Sequence, residues 1–100
     1  MDYVFNWSER AIANLNAIED YISRDSLFHA KRVVNEILDY TEKLKEFPLM
    51  GSIILELYGT ELRQLVKYSY RIVYSFEDDI ITIIAVLHSK QDIVAQFIQK

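Results

Sequence analysis

Phe47-Pro48-Leu49-Met50-Gly51, Glu61-Leu62-Arg63, Tyr70-Arg71-Ile72-Val73-Tyr74 and Val86-Leu87-His88 are four pieces of one stretch, 47–88, in which polar residues recur at fixed places among apolar runs. The change of period inside this stretch decides the fold. Before Pro48 the apolar residues recur at helical spacing. Beyond Gly51 they alternate or run on, and Val, Ile, Tyr and Phe dominate, a composition that suits the pleated surface of a sheet. Three strands are predicted, over 62–67, 70–76 and 80–88, the last two joined by the tight polar turn Glu77-Asp78-Asp79. The run Ile80-Ile81-Thr82-Ile83-Ile84-Ala85-Val86-Leu87 is apolar on both faces and reads as a central strand covered on both sides.

Working outward, Pro48 cannot continue a helical ladder and biases Phe47 away from helical geometry, so a helix must stop near Phe47. Ala30, Val33, Val34, Ile37, Leu38, Thr41 and Leu44 trace its apolar face, with Asp25 or Ser26 as its cap. A first helix is predicted over 8–22, with Ser8 as N-cap, Glu9 in the first turn and a stripe of Ala11, Leu15, Ile18 and Ile22. The break Ser23-Arg24-Asp25-Ser26 is short, so the two helices form an antiparallel hairpin. Residues 2–7 alternate, with Tyr3, Phe5 and Trp7 on one side, as a short first strand does, and 91–99 reads as a closing helix with Ile93, Val94, Phe97 and Ile98 facing inward. The predicted class is α+β: an N-terminal strand, a helical hairpin, a three-stranded antiparallel meander in one sheet and a short C-terminal helix.

At 100 residues, 51% of them hydrophobic, the chain suits one domain over 1–100 with one core. The absence of cysteine excludes disulfides, thiolate metal sites and a cysteine nucleophile. His29 and His88 lie far apart without clustered acids, and there is no Gly-rich phosphate loop, so neither a metal nor any other cofactor is expected. The start Met1-Asp2-Tyr3 lacks a signal peptide's basic and apolar regions, and the longest apolar run is too short to span a bilayer, so a cytoplasmic protein without membrane partners is expected. A net charge of −4 argues against binding a polyanion with the chain as a whole.

The four pieces quoted above, in this order and spacing, and preceded by Trp7-Ser8-Glu9-Arg10-Ala11 and the helical hairpin, resemble the RelE/ParE superfamily of bacterial toxins, most closely its ParE or plasmid-stabilisation branch. The resemblance covers nearly the whole chain and is the main support for the topology. It implies the toxin of a type II toxin-antitoxin pair, held inactive by a cognate antitoxin and reaching operator DNA only through it. A free ParE-like toxin inhibits DNA gyrase by protein–protein binding and arrests growth, without catalysis. The alternatives are a RelE-like ribosome-dependent mRNA endonuclease, acting on the ribosome and mRNA, and a non-toxic relic that still binds antitoxin.

Arg71, among apolar neighbours, is built to hold a phosphate or carboxylate bidentately; an ordinary ion pair with Glu61 or Glu77 competes with that reading. His88 offers a general acid at the end of the central strand, against the competing reading of an imidazole bonded to nearby backbone. The resemblance implies that Arg71 and His88 are catalytic if the nuclease alternative holds, since RNA-cleaving members carry a catalytic arginine at this strand position. The acid-base set is incomplete. Glu56 is the only acid in 50–56 and receives no catalytic role, Ser89-Lys90-Gln91 follow His88 where cleaving relatives carry another acid-base residue, and Gln91 stands where many ParE-like chains carry arginine. Glu61 and Arg63, two apart on a strand, are expected to pair. Arg63, Arg71 and His88, with Val33 and Ile37 of the second helix, are the residues expected at a partner surface.

Overall fold

The computed structural model describes residues 3–97. Its order is β1 (Val4–Trp7), α1 (Glu9–Ser23), α2 (Leu27–Glu42), a 3-10 turn (Lys43–Lys45), β2 (Ser52–Ile53), a second 3-10 turn (Leu55–Leu57), β3 (Arg63–Lys67), β4 (Tyr70–Glu77), β5 (Ile80–His88) and α3 (Ile93–Phe97). One five-stranded sheet has the order β1-β5-β4-β3-β2, with β1 parallel to β5 and the other pairs antiparallel. The α+β architecture follows the expected order, with two differences. Ser52 and Ile53 form an extra edge strand on Gln64 and Arg63, and the second helix leaves α geometry after Glu42, five residues before Phe47. The start of the predicted first strand at Asp2 and the inward face of Ile98 lie outside the described residues.

Side-chain oxygens cap both helices. Ser8 accepts from the Ala11 N–H at 3.0 Å and Ser26 from the His29 N–H at 3.1 Å, supplying partners for donors that a helix start leaves open. The buried stripe of α2 is Ala30, Val33, Val34, Ile37 and Thr41. Val33 and Ile37 of this stripe, with Ala11 and Leu44, pack on Leu65, Ile72, Tyr74, Ile81, Ile83 and Val86 of the sheet. The opposite face of the sheet carries a smaller core, in which Val73, Ala85 and Leu87 meet Ile54, Leu57 and Ile93. β5 is therefore covered on both sides, as its composition predicts.

β5 does not alternate evenly. Tyr74 pairs with Ile83 whereas Val73 pairs with Ala85, so Ile84 is an extra residue without a partner on β4. Before this bulge Ile81 and Ile83 face the helical hairpin; after it Val86 and His88 do, while Ala85 and Leu87 face away. The start of α1 satisfies the bulged backbone. The Ser8 N–H donates to the Ile83 carbonyl at 2.8 Å, the Ser8 hydroxyl donates to the Ile84 carbonyl at 2.8 Å, and Asn14 Oδ1 accepts from the Val86 N–H at 3.0 Å. Ser8→Ala removes both the helix cap and the partner of the Ile84 carbonyl. It is expected to cost about 1–2 kcal/mol, read as a lower urea midpoint with an unchanged m-value.

Candidate functional site

Arg71 lies on the face of β4 away from the hairpin, with its side chain 14% exposed. All three of its guanidinium nitrogens donate. Nη1 and Nη2 donate to the two carboxylate oxygens of Glu56 at 2.8 and 3.0 Å, and Nε donates to Gln64 Oε1 at 2.6 Å. The partner is thus neither Glu61 nor Glu77. The Leu55–Leu57 turn projects Glu56 onto the sheet, and hydrogen bonds from Arg71, with a backbone bond second, lower the Glu56 pKa from 4.5 to about 2. A carboxylate whose folded pKa is depressed stabilises the fold above its ordinary pKa and loses that contribution as pH falls through the folded one. The difference in urea midpoint between the native chain and Glu56→Gln is therefore expected to be present at neutral pH and to shrink as pH falls from about 4.5 to about 2. Glu56 is largely open to water, so the difference is small.

His88 is on the other face. It pairs with Tyr70, and the two rings meet edge to face at 5.5 Å. Its Nδ1 accepts from the Lys90 N–H at 3.1 Å, and its own N–H donates to Gln91 Oε1 at 2.8 Å. Arg71 pairs with Leu87, one residue away along both strands, so its side chain and that of His88 leave the sheet in opposite directions. The two residues proposed together for acid-base and phosphate chemistry are separated by the sheet itself.

Arg63 does not pair with Glu61. Its Nη1 donates to the carbonyls of Gly51 at 2.6 Å and Leu49 at 3.4 Å, bracing the Phe47–Gly51 turn. Tyr74, buried in the core, braces the same turn from below: its hydroxyl donates to the Pro48 carbonyl and accepts from the Gly51 N–H, both at 2.9 Å. Burial raises the pKa of this phenol, which keeps it protonated and able to do both.

Val33 and Ile37, expected at a partner surface, are 3% and 0% exposed and belong to the core. A helix that packs on a sheet turns its most continuous apolar stripe inward, and that stripe holds both residues. Apolar side chains left outside include Tyr21, Leu27 and Phe28 at the hairpin tip, and Phe47, Leu49 and Met50 in the braced turn. The turn residues, with Tyr3 and Phe76, line an open apolar cleft of about 530 Å³. The available signal was an apolar cluster at a helix start, Leu27-Phe28, and another in a turn bounded by Pro48 and Gly51; helical periodicity alone could not supply it.

No helix among the described residues is long and apolar enough to cross a membrane. Residues 5–93 match the family described as the ParE toxin of the type II toxin-antitoxin system parDE. A protein of Caulobacter vibrioides named Toxin RelE2 is 33% identical over 84 residues, which span 83% of this chain and 91% of that protein. Among solved structures, the chromosomal ParDE system of P. aeruginosa contains a chain that superposes with a TM-score of 0.72 at 19% identity, covering 86% of this chain and 95% of that one. Free E. coli RelE, as a mutant, superposes at 0.66 and 18% identity over 96% and 93% of the two chains. A chain of the RelBE2 toxin-antitoxin complex of Mycobacterium tuberculosis gives 0.66 at 16% identity over 88% and 99%. The structural likenesses speak for the fold and the sequence matches for the lineage: the chain belongs to the ParE toxin family of type II toxin-antitoxin systems.

Proposed function

We propose that this chain, acting as one cytoplasmic domain, inhibits DNA gyrase by protein–protein binding and is neutralised by a cognate antitoxin, through which alone it reaches operator DNA. One observation carries the choice of mechanism: Arg71 is closed off by a bidentate pair with Glu56 and stands on the opposite face of the sheet from His88. General acid catalysis and phosphate stabilisation must converge on one reacting phosphodiester, and here the groups that would supply them diverge. A protein-binding toxin needs exposed anchors instead, and Phe28, Leu49 and Phe47 are 80%, 59% and 61% exposed. The apolar tip of the hairpin and the braced turn are the surfaces that an antitoxin segment would cover.

The test is gyrase supercoiling by the purified chain freed of antitoxin, with ribosome-programmed mRNA cleavage assayed on the same preparation. Supercoiling is expected to be inhibited and mRNA to stay intact, and Arg71→Ala and His88→Ala are expected to leave inhibition in place if they remain folded. Codon-dependent cleavage that both substitutions abolish would overturn this reading in favour of the RelE-like nuclease. Activity in neither assay would leave a chain that only binds antitoxin.

A further inference from the structure

We propose that the cleft between α1 and the C-terminal end of β5 is a binding site for a small phosphate monoester carrying a planar ring. The cleft encloses about 510 Å³ and is lined from α1 by Asn14 and Tyr21 and from the sheet side by Tyr70, His88, Lys90 and Gln91, among others, a size ordinary for small-ligand sites. Its polarity is one-sided, for a reason visible in the hydrogen bonds. Asn14 spends its Oδ1 on the Val86 N–H, Gln91 its Oε1 on the His88 N–H, and His88 its Nδ1 on the Lys90 N–H. Each of these partners is a backbone donor, which only an acceptor can meet, so the amide orientations and the imidazole tautomer are forced. What remains for the cleft is two amide NH2 groups and an Nε2–H, all donors.

The other polar groups continue the bias. Lys90 adds a positive charge, Tyr21 and Tyr70 add hydroxyls, and among the described residues no Asp or Glu lines the cleft. Burial, with Tyr21 contributing second, raises the Tyr70 pKa, which keeps that phenol a donor. Such a set fits an oxyanion, and the three terminal oxygens of a phosphate monoester accept from more of these donors than the two of a carboxylate. A single lysine in a chain of net charge −4 suits one phosphate, not a nucleic-acid strand. Tyr70 and His88, crossed at 89°, and the ring of Tyr21 supply aromatic walls for a planar group.

The site is independent of the gyrase reading, and its test needs no toxicity. Titrating phenyl phosphate into the purified full chain, followed by calorimetry and by amide shifts in 1H-15N spectra, is expected to give saturable binding with a Kd of about 1 mM or tighter, with shifts at Asn14 and His88. Asn14→Asp and Gln91→Glu keep the oxygen that each backbone N–H needs but replace the outward donor by negative charge. Each is expected to weaken binding by about tenfold or more while leaving the thermal midpoint in place. Should Asn14→Asp fail to fold, Gln91→Glu and the surface change Lys90→Glu carry the same test. Absence of saturable binding, binding indifferent to these substitutions, phenol binding as well as phenyl phosphate, or benzoate binding better would each overturn the assignment.

Discussion

Gly51→Ala is expected to destabilise the protein by about 3 kcal/mol or more, enough to leave it poorly folded near its growth temperature. A Cβ at this position would stand 2.6 Å from the backbone carbonyl of Gln64 and 2.6 Å from both Cε1 and the hydroxyl of Tyr74. None of these is the loose end of a side chain. The Gln64 carbonyl belongs to β3, and the Tyr74 ring is buried with its hydroxyl bonded to Pro48 and Gly51. To admit a methyl group the 47–51 turn must lift away, breaking the Tyr74 bonds and the Arg63 bond to the Gly51 carbonyl together. Two of those groups would then lie close to the core without partners, which adds the cost of unmade hydrogen bonds to the overlap. Ser52→Ala, one residue on and exposed, is expected to stay within about 0.5 kcal/mol of the native chain. Equal urea midpoints for the two substitutions would show that the turn is not braced in this way.

Ile37→Ala is the second large effect, expected at about 2–5 kcal/mol from the lost burial and the cavity left behind. Ile37 is 0% exposed between α2 and the sheet, where the neighbouring β-strands cannot collapse to fill a void. Phe28→Ala on the same helix, at 80% exposure, is expected to leave unfolding almost unchanged and to weaken capture by the antitoxin instead. Thermal melts paired with antitoxin pull-downs separate the two roles, and a stable Ile37→Ala that loses antitoxin would return Ile37 to the partner surface.

The main elements were legible because hydrophobic period is a local signal. Ser8 and Ser26 mark helix starts by their own chemistry, and the alternation at Tyr3, Phe5 and Trp7 matches a strand that lays those rings on the core; Pro48 set only an outer limit, since α2 ends at Glu42. What escaped depends on distant partners. β2 is two residues long, too short to show any period. Glu56 reaches Arg71 only because a 3-10 turn folds it back over the sheet, so the acids nearer in strand spacing, Glu61 and Glu77, looked equally suitable. Val33 and Ile37 show that an apolar stripe cannot be divided between core and partner from its spacing alone, since the same residue types serve both. The 84–87 segment is Ile-Ala-Val-Leu, and a run that is apolar at every position hides which side each residue takes.

That last ambiguity makes the bulge at Ile84 more than a local irregularity. β5 is read in one parity up to Ile83 and in the other from Ala85 onward. If the bulge were ironed out with every residue kept, so that Ile84 stood opposite Val73, each later residue would change face, and His88 would stand opposite Ser69 on the side of Arg71. A single residue, bulged or paired, thus acts as a selector between two arrangements of the same side chains: a basic group and an imidazole sharing one face, or each facing a separate surface. In a fold of this kind, moving between a convergent site and a pair of divergent surfaces takes one bulge formed or ironed out by a one-residue slip of the strand, with every side chain of the sequence left as it was.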